Sequence, residues 1–418
     1  MKKKLLFILN EYPPKTSPTS MAVKPIIDLL AHKYEIYVIS IGNRKKKKMI
    51  DGVNVIYVNG GIEKLKFKNL KADNYLNYLK RFVLRVKQII MIPCYPILRP
   101  VLQYKLWKTG LNICKKEKID CVIGVCFPQE AIIASNKIKR YCPSVKYVPY
   151  LVDAFSGGTL PKYLPISFSR QRKIALEKKL IANADLAIAM EASKGFYREN
   201  NMDSKYTFLN PAFLEKPIIS FPCEDKNIYL DKEKINIVYA GFLYLPDRDP
   251  TYIIRLLSSL KIQNMCLAFV GNCDSEVEQI IEREKKTFYG EIKQFKFIPR
   301  EQLKYLLNEA SFLLNMGVSN SHAISGKIFE YMAFGKPIIT TYFDENDAAL
   351  PYLRKYPLSC LINQENEDIK MAQTKMKDFL TGSNENRIPF SFVEREFYSS
   401  MPKAFSEVIS SLVNGDNN

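Results

Sequence analysis

The sequence is short of the residues that build metal centres. It has only two histidines, His32 and His322, and its nine cysteines stand singly, with no Cys-x-x-Cys pair. A zinc site needs three or four clustered nitrogen and sulfur ligands, so this composition argues against one. No Asp-x-Asp stands where it would suggest a divalent ion. The odd cysteine count also argues against a disulfide framework, and reduced thiols in a cytoplasm are the expectation. The opening MKKKLLFILNEYPP has an apolar core of LLFIL alone, with Asn10 and Glu11 directly after it. That core is shorter than a secretory leader requires, and it reads as a first β-strand. Long apolar runs are missing too. The stretch QIIMIPCYPIL has 11 residues and two prolines, against about 20 apolar residues for a bilayer crossing.

Net positive charge is missing from one half of the chain. Residues 1–210 hold 38 Lys and Arg against 15 Asp and Glu, while the remainder holds 24 against 28. The overall +19 therefore belongs to the first half. Such an imbalance predicts an anionic partner on that half: nucleic acid, an anionic membrane face or a phosphorylated substrate.

What is present is alternation. KKLLFIL, EIYVISI, IDCVIGV, VKYVPYLVD and ADLAIAM read as strands, separated by helical stretches such as AVKPIIDLLAHKY and FSRQRKIALEKKLIANA. Strands alternating with helices predict a parallel sheet covered on both faces. The pattern breaks at 211–234, which has three prolines and no sustained period and reads as a linker. It restarts with INIVYAG, CLAFVG, IKQFKFIP, SFLLNMG and KPIITT as strands. The expectation is α/β, with two consecutive doubly wound, Rossmann-like domains at 1–215 and 230–385. An amphipathic helix over 390–415 is expected to pack back on the first.

Residues 64–118 interleave basic and large apolar side chains. Two readings stay open: an amphipathic stretch lying at an anionic membrane interface, or a helical insertion burying its apolar face. The run Arg44–Lys48 reads as a solvated loop, with a membrane contact as the lesser alternative.

The stretch NSHAISGKIFEYMAFGKPII (Asn320–Ile339) carries the most chemistry. It predicts a loop of small residues after a strand, then a helix from about Ser325-Gly326 to Gly335. Lys327 falls in the first helical turn, where a cation opposes the helix dipole by about 0.3–1 kcal/mol. That cost is explained if an anion binds at the same end. Glu330, one turn on, suits sugar hydroxyls as a bidentate acceptor. The plain alternative is an i,i+3 ion pair. On physics alone both stand.

SGKIFEYMAFGKPII resembles the donor-site signature of the retaining glycosyltransferases of the GT-B fold, the family 4 group and its relatives, and the similarity extends over essentially the whole chain. It implies two Rossmann-like domains facing across a cleft, and transfer of a hexose from a UDP- or GDP-linked donor with retention and without a metal or other cofactor. Glu330 matches the second glutamate of the E-x7-E motif, which implies a ribose contact, and His322 stands where the first glutamate, the sugar contact, is expected. Lys327 matches a phosphate-contacting cation, with Ser325 and Gly326 beside it. VYAGFLYLPDRDP resembles the start of the donor domain. There Gly241 precedes Phe242 where many members have Arg, which leaves Arg248 as the pyrophosphate cation. The segment around Phe297-Ile298-Pro299 corresponds to a nucleobase contact, with Ile298 as candidate.

In the first half, NEYPPKTSPTS resembles the loop after the first strand, with Ser17-Pro18-Thr19-Ser20 in place of the family's glycines. Tyr12 and Pro13 are acceptor candidates. Asp153 falls near the position expected at the reacting sugar, or else caps a loop, and Glu130 is a further acceptor candidate. The resemblance implies an acceptor on the basic half. A lipid-linked saccharide at the inner face of a bacterial plasma membrane accounts for both the charge and the 64–118 stretch, in surface-polysaccharide synthesis by a cytoplasmic, peripheral protein. Nucleic acid is not the expected partner, since no nucleic-acid motif appears. A sugar-nucleotide epimerase of the same fold is one alternative, and a non-catalytic partner subunit another.

Overall fold

The computed structural model describes residues 2–14, 17–60, 86, 89, 92–158, 160–161, 163–219, 228–318, 324–383 and 386–415. The chain forms two compact units, Met1–Ala212 with Pro402–Asn418, and Phe213–Met401. Among the expected features, His322 and residues 64–85 lie outside the described residues.

The first unit is built on a sheet in the order β3-β4-β2-β1-β5-β6-β7-β8. Its parallel strands are β1 (Lys4–Leu9), β2 (Glu35–Gly42), β4 (Val53–Asn59), β5 (Cys121–Cys126), β6 (Lys146–Leu151), β7 (Ala187–Met190) and β8 (Tyr206–Leu209). The central strands β1 and β5 are buried almost throughout, as expected for strands covered on both faces. Helices α1 (Pro18–Ala31), α2 (Pro100–Glu117), α3 (Gln129–Tyr141) and α4 (Ile166–Ala182) supply the covering layers. The order reverses between β1 and β5, so both carboxyl ends open on one crevice.

Two expectations change in this unit, and a third segment is described in part. The run Arg44–Lys48 is not simply a loop: β3 (Lys46–Ile50) pairs antiparallel with β4 at the sheet edge. Its lysines are exposed, and charged side chains on an edge strand discourage pairing with another chain. Ser17-Pro18-Thr19-Ser20 forms a capping box that starts α1, with Ser17 N donating to Ser20 Oγ at 2.7 Å and Ser20 N to Ser17 Oγ at 3.3 Å. The Ser20 amide is thereby used by the helix itself. The described part of the basic stretch is helical over Pro100–Glu117, and this helix, α2, buries Leu102, Leu106 and Cys114.

The second unit has a six-stranded parallel sheet ordered β11-β10-β9-β12-β13-β14. The strands are β9 (Ile235–Ala240), β10 (Met265–Val270), β11 (Glu291–Phe295), β12 (Phe312–Met316), β13 (Ile338–Tyr342) and β14 (Ser359–Asn363). One face packs on α5 (Thr251–Ser259), the other on α6 (Arg300–Glu309) and α7 (Lys327–Ala333). The reversal falls between β9 and β12. The expected linker is partly core: Leu214, Ile228 and Leu230 are buried in this unit.

The expected helix over 390–415 is two. Phe390–Glu396 stays with the second unit, where Val393 and Phe397 are buried. Only α8 (Pro402–Asn414) belongs to the first unit, where Lys3 donates to the Val413 carbonyl at 2.6 Å and Phe405 lies 5.1 Å from the Tyr150 ring. The first helix ends at Glu396, a short turn covers Tyr398–Ser400, and Pro402 opens the second helix at its first position, where its missing amide costs no bond.

The carboxyl edge of the first sheet is tied down by a buried ion pair. Arg99 binds Glu130 through both oxygens, at 3.2 and 2.7 Å, and the glutamate side chain is 1% exposed against 34% for the arginine. Removing one partner of such a pair strands a buried charge, which costs about 3–5 kcal/mol when both groups are buried. Partial exposure of Arg99 lowers this, so Arg99→Ala is expected to lose about 2–3 kcal/mol. Urea denaturation would report this as a lower midpoint at unchanged slope, with Arg99→Met/Glu130→Leu recovering most of the loss.

Candidate functional site

Three of the expected donor residues, Gly241, Arg248 and Lys327, meet at the carboxyl end of β9. Tyr239 lies in that strand with its ring in the core and its hydroxyl at the end. The hydroxyl donates to the Phe242 carbonyl at 3.2 Å, and Arg248 Nη1 donates to it at 2.8 Å. Lys327 Nζ lies 3.4 Å from the same oxygen and 4.6 Å from the ring centroid. Two cations therefore meet at one phenol, with their nitrogens no farther than 6.2 Å apart.

Among the described residues no carboxylate lies within ion-pair distance of Lys327 or Arg248, and Arg248 Nε is buried with no hydrogen-bond partner. Lys327 retains some accessible surface, yet its ammonium lies deep among protein atoms. Burial first, and the Arg248 charge second, push its pKa well below the ordinary lysine range, while Glu330 pulls the other way. Arg248 moves upward, because the Tyr239 and Tyr244 hydroxyls outweigh its burial.

The fold imposes this crowding. Tyr331, on the same short helix as Lys327, accepts a hydrogen bond from Ala240 N at 2.9 Å, which ties α7 to the end of β9. Gly241 follows with φ of +147°, and a Cβ there would fall on the Lys327 ammonium and 2.7 Å from its Cε. Only glycine meets both conditions. Gly326 has a plainer reason, since a Cβ would run into the Phe213 ring.

Lys327 and Glu330 do not pair with each other. Arg300 Nη2 holds Glu330 Oε1 at 3.1 Å, with the glutamate side chain mostly buried. The i,i+3 alternative is thereby removed. The helix is shorter than expected, seven residues from Lys327, so the positive potential comes from the side chains rather than from a long dipole. Ser325 is half-buried at its start, its carbonyl accepting from Ile328 N at 3.2 Å. Ile298 packs partly on the core, while Phe297 beside it is exposed. Sequence reasoning missed Tyr239, Tyr331 and Arg300. The first two resemble ordinary core aromatics, and Arg300 resembles an ordinary helix-start cation.

The first-unit candidates divide. Tyr12 is fully buried, its hydroxyl without a partner and its pKa raised by burial. That removes its side chain from any surface contact and corrects the expectation. Pro13 uses its carbonyl to accept from Tyr57 at 2.8 Å. Glu130 is also corrected: both its oxygens are taken by Arg99. Asp153 is different. It lies just beyond β6, open to solvent, although surrounding protein raises its carboxyl pKa through desolvation. Its loop is clamped from below. Buried Glu177 accepts from Ser156 N at 3.0 Å, from Tyr197 and Tyr206 hydroxyls at 2.9 Å each, and from Ser156 Oγ. Sequence reading had assigned Glu177 no role.

No family model and no curated protein sequence matches this chain. Solved structures do. Anabaena HepE in complex with UDP and glucose aligns with a TM-score of 0.59 at 14% identity, over 98% of this chain and 100% of that one. The E. coli trehalose-6-phosphate structure bound with UDP-2-fluoro glucose aligns at 0.63 and 10%, over 98% and 99%. The UDP-GlcNAc 2-epimerase of Methanocaldococcus jannaschii aligns at 0.53 and 12%, over 97% and 99%. At such identities the likeness establishes the fold, which is the GT-B architecture of two Rossmann-like units.

Gly241→Ala should destabilise the chain by about 1–3 kcal/mol, the range for a side chain forced into disfavoured backbone. Gly382→Ala, which meets nothing within 4 Å, should be neutral or slightly stabilising. Chemical denaturation of the two variants side by side checks this.

Proposed function

We propose that this chain is a glycosyltransferase that moves a sugar from a nucleotide-diphosphate donor to an acceptor hydroxyl. One observation carries the reading: Arg248 and Lys327 are held against the same phenol with no carboxylate at ion-pair distance among the described residues. Bringing two cations together is unfavourable unless a dianion completes the site, and a diphosphate supplies that charge. Arg248 keeps its proton at any working pH and offers a buried Nε as a further donor.

Charge grows on the leaving diphosphate as the bond to the anomeric carbon breaks. Fixed cations beside it stabilise that charge without reorganising, which is where an enzyme gains most. Glu330, oriented by Arg300, takes the ribose hydroxyls in this reading. Ser325 and Ile298 border the donor, and Asp153 is the candidate at the reacting sugar. No protein nucleophile is invoked: the acceptor hydroxyl attacks on the leaving-group face with retention, and the departing phosphate accepts its proton. The hexose class, independence from metal, and a lipid-linked acceptor at the inner face of a bacterial membrane belong to the same proposal. The basic first half supports the acceptor assignment.

An epimerase of the same architecture also binds a nucleotide sugar, and the M. jannaschii neighbour keeps that reading in play. It is distinguished by turnover of the donor sugar with no acceptor present.

Thermal shift with a panel of nucleoside diphosphates tests the proposal. One base is expected to stabilise the protein. Lys327→Ala and Arg248→Ala should each weaken its binding about 10- to 100-fold, the scale of a hydrogen bond to a charged group. Folded protein with no response to any nucleotide overturns the reading.

Binding should also take up a proton. The depressed pKa of Lys327 lies below that of the unfolded chain, so an adjacent dianion raises it again. In the window between that depressed value and 10.5, the reference for lysine, calorimetry in buffers of different ionisation enthalpy should report net uptake, absent in Lys327→Met. Without ligand the sign reverses. The unfolded chain binds more protons there, so this group's contribution to stability rises with pH across the window and is lost as pH falls through the depressed pKa.

A further inference from the structure

We infer that the carboxyl edge of the first unit's sheet is a docking surface for an anionic lipid bilayer. The inference deepens the lipid-linked acceptor reading above and rests on it for its purpose, though not for its geometry.

Six large apolar side chains, Leu98, Val101, Phe127, Tyr163, Ile166 and Phe168, are 37–73% exposed. They come from three stretches of sequence, and topology brings them to one edge. Phe127 directly follows β5, which ends at Cys126. Tyr163, Ile166 and Phe168 lie where the connection after β6 enters α4. Leu98 and Val101 begin α2, whose other end leads into β5, so its start lies at the carboxyl edge. Hydrogen bonds join the stretches. Arg172 Nη2 donates to the Pro93 carbonyl at 3.1 Å, Gln129 Nε2 donates to the Pro96 carbonyl, and Arg99 grips Glu130. Single exposed apolar residues are ordinary, but a contiguous set marks an interaction surface.

Charge selects the partner. Residues 92–110 and 160–173 contain seven Lys and Arg and no Asp or Glu. Lys105, Arg170 and Arg172 donate to backbone carbonyls, of Asn59, Ser156 and Pro93, and Lys108 lies 5.6 Å from the Tyr104 ring. Among the described residues none of these four has a carboxylate partner, and Arg172 and Lys108 are exposed while Arg170 turns toward the buried Ser156 carbonyl. The opposite edge of the same sheet differs. There Glu35, Glu117, Asp120 and Asp185 gather at the strand starts, Glu35 and Glu117 against Lys4, and Asp185 against Lys139 and Lys146. The edges differ in compensation: Glu35, Glu117 and Asp185 at the strand starts are paired with lysines, whereas the four cations at the carboxyl edge have no carboxylate partner among the described residues. An interface of anionic headgroups over acyl chains complements the carboxyl edge. Nucleic acid would satisfy the cations but not Ile166, Val101 and Leu98, which offer no stacking face. Asp153 lies on this edge too, just beyond β6, where a lipid-anchored acceptor would arrive.

The test is co-sedimentation of the full chain with phosphatidylcholine vesicles, alone or mixed with phosphatidylglycerol, without nucleotide. The expected result is binding to the anionic vesicles that falls with added salt. Ile166→Glu/Phe168→Glu should reduce it at least tenfold, and Arg172→Glu by about fivefold or more, the scale of one cation near such a surface. Met49→Glu, an equally exposed apolar site on the β3 edge, should bind as wild type. Circular dichroism and melting of the surface variants should match wild type. The inference is overturned if the chain stays in the supernatant, if it binds neutral vesicles equally, if Ile166→Glu/Phe168→Glu binds undiminished, or if single-stranded DNA binds through these residues while vesicles do not. Nucleotide thermal shift on the same samples separates the proposals. Vesicle binding without a nucleotide response leaves the surface and removes the transferase reading, and the converse removes the surface alone.

Discussion

Repulsion between Lys327 and Arg248 is the constraint around which the second unit's carboxyl edge is organised. Two cations at one phenol oxygen lower the stability of the empty protein, and the surrounding fold must hold them there. Tyr331 anchors the helix of Lys327 to β9, Gly241 clears space for the ammonium, and Tyr239 offers an oxygen that both cations reach. None of these groups carries a compensating negative charge. A fold under no demand to bind an anion relieves such strain by one substitution to a neutral side chain, so its presence is evidence about a ligand.

Both units place chemistry by the same rule. In each sheet the strand order reverses beside the first strand of the unit, and the loops from the two sides of the reversal meet at the carboxyl ends. In the second unit those loops hold Gly241, Arg248 and the helix of Lys327. In the first they hold Asp153, carried on a loop whose anchor is a buried glutamate caged by two tyrosines and a serine. Exposed apolar residues and uncompensated cations gather on that same edge. The two sheets are thus similar in construction, while the chain's first half is basic and its second half slightly acidic.

Much of the architecture was legible because fully buried parallel strands write themselves as continuous apolar runs. LLFIL, VIGV and LAFV have no competing reading once helical stretches separate them. The less apolar strands were harder. Lys46–Ile50 has exposed lysines because it is an edge, and Ser359–Asn363 is short, with polar residues at both ends. The expected helix over 390–415 is interrupted between Glu396 and Pro402, where amphipathic periodicity continues although the helix does not. The linker looked like a linker because it has no period, yet it buries Leu214 and Leu230, since a core accepts apolar side chains from irregular backbone as readily as from helices.

By itself the sequence determined the fold class, the second unit's position of greatest chemical interest and the charge asymmetry between the halves, because periodicity, local spacing and net charge are additive along a chain. Tertiary structure alone decided which charges are compensated. Glu130 and Lys327 are both ionisable residues in first helical turns after strands. One is closed off by Arg99, from 31 positions away, and the other is left beside a second cation by Tyr239, from 88. Those partners are set by how the layers pack, and Coulomb interactions in a partly buried site depend on distances of a few ångströms that sequence spacing does not encode.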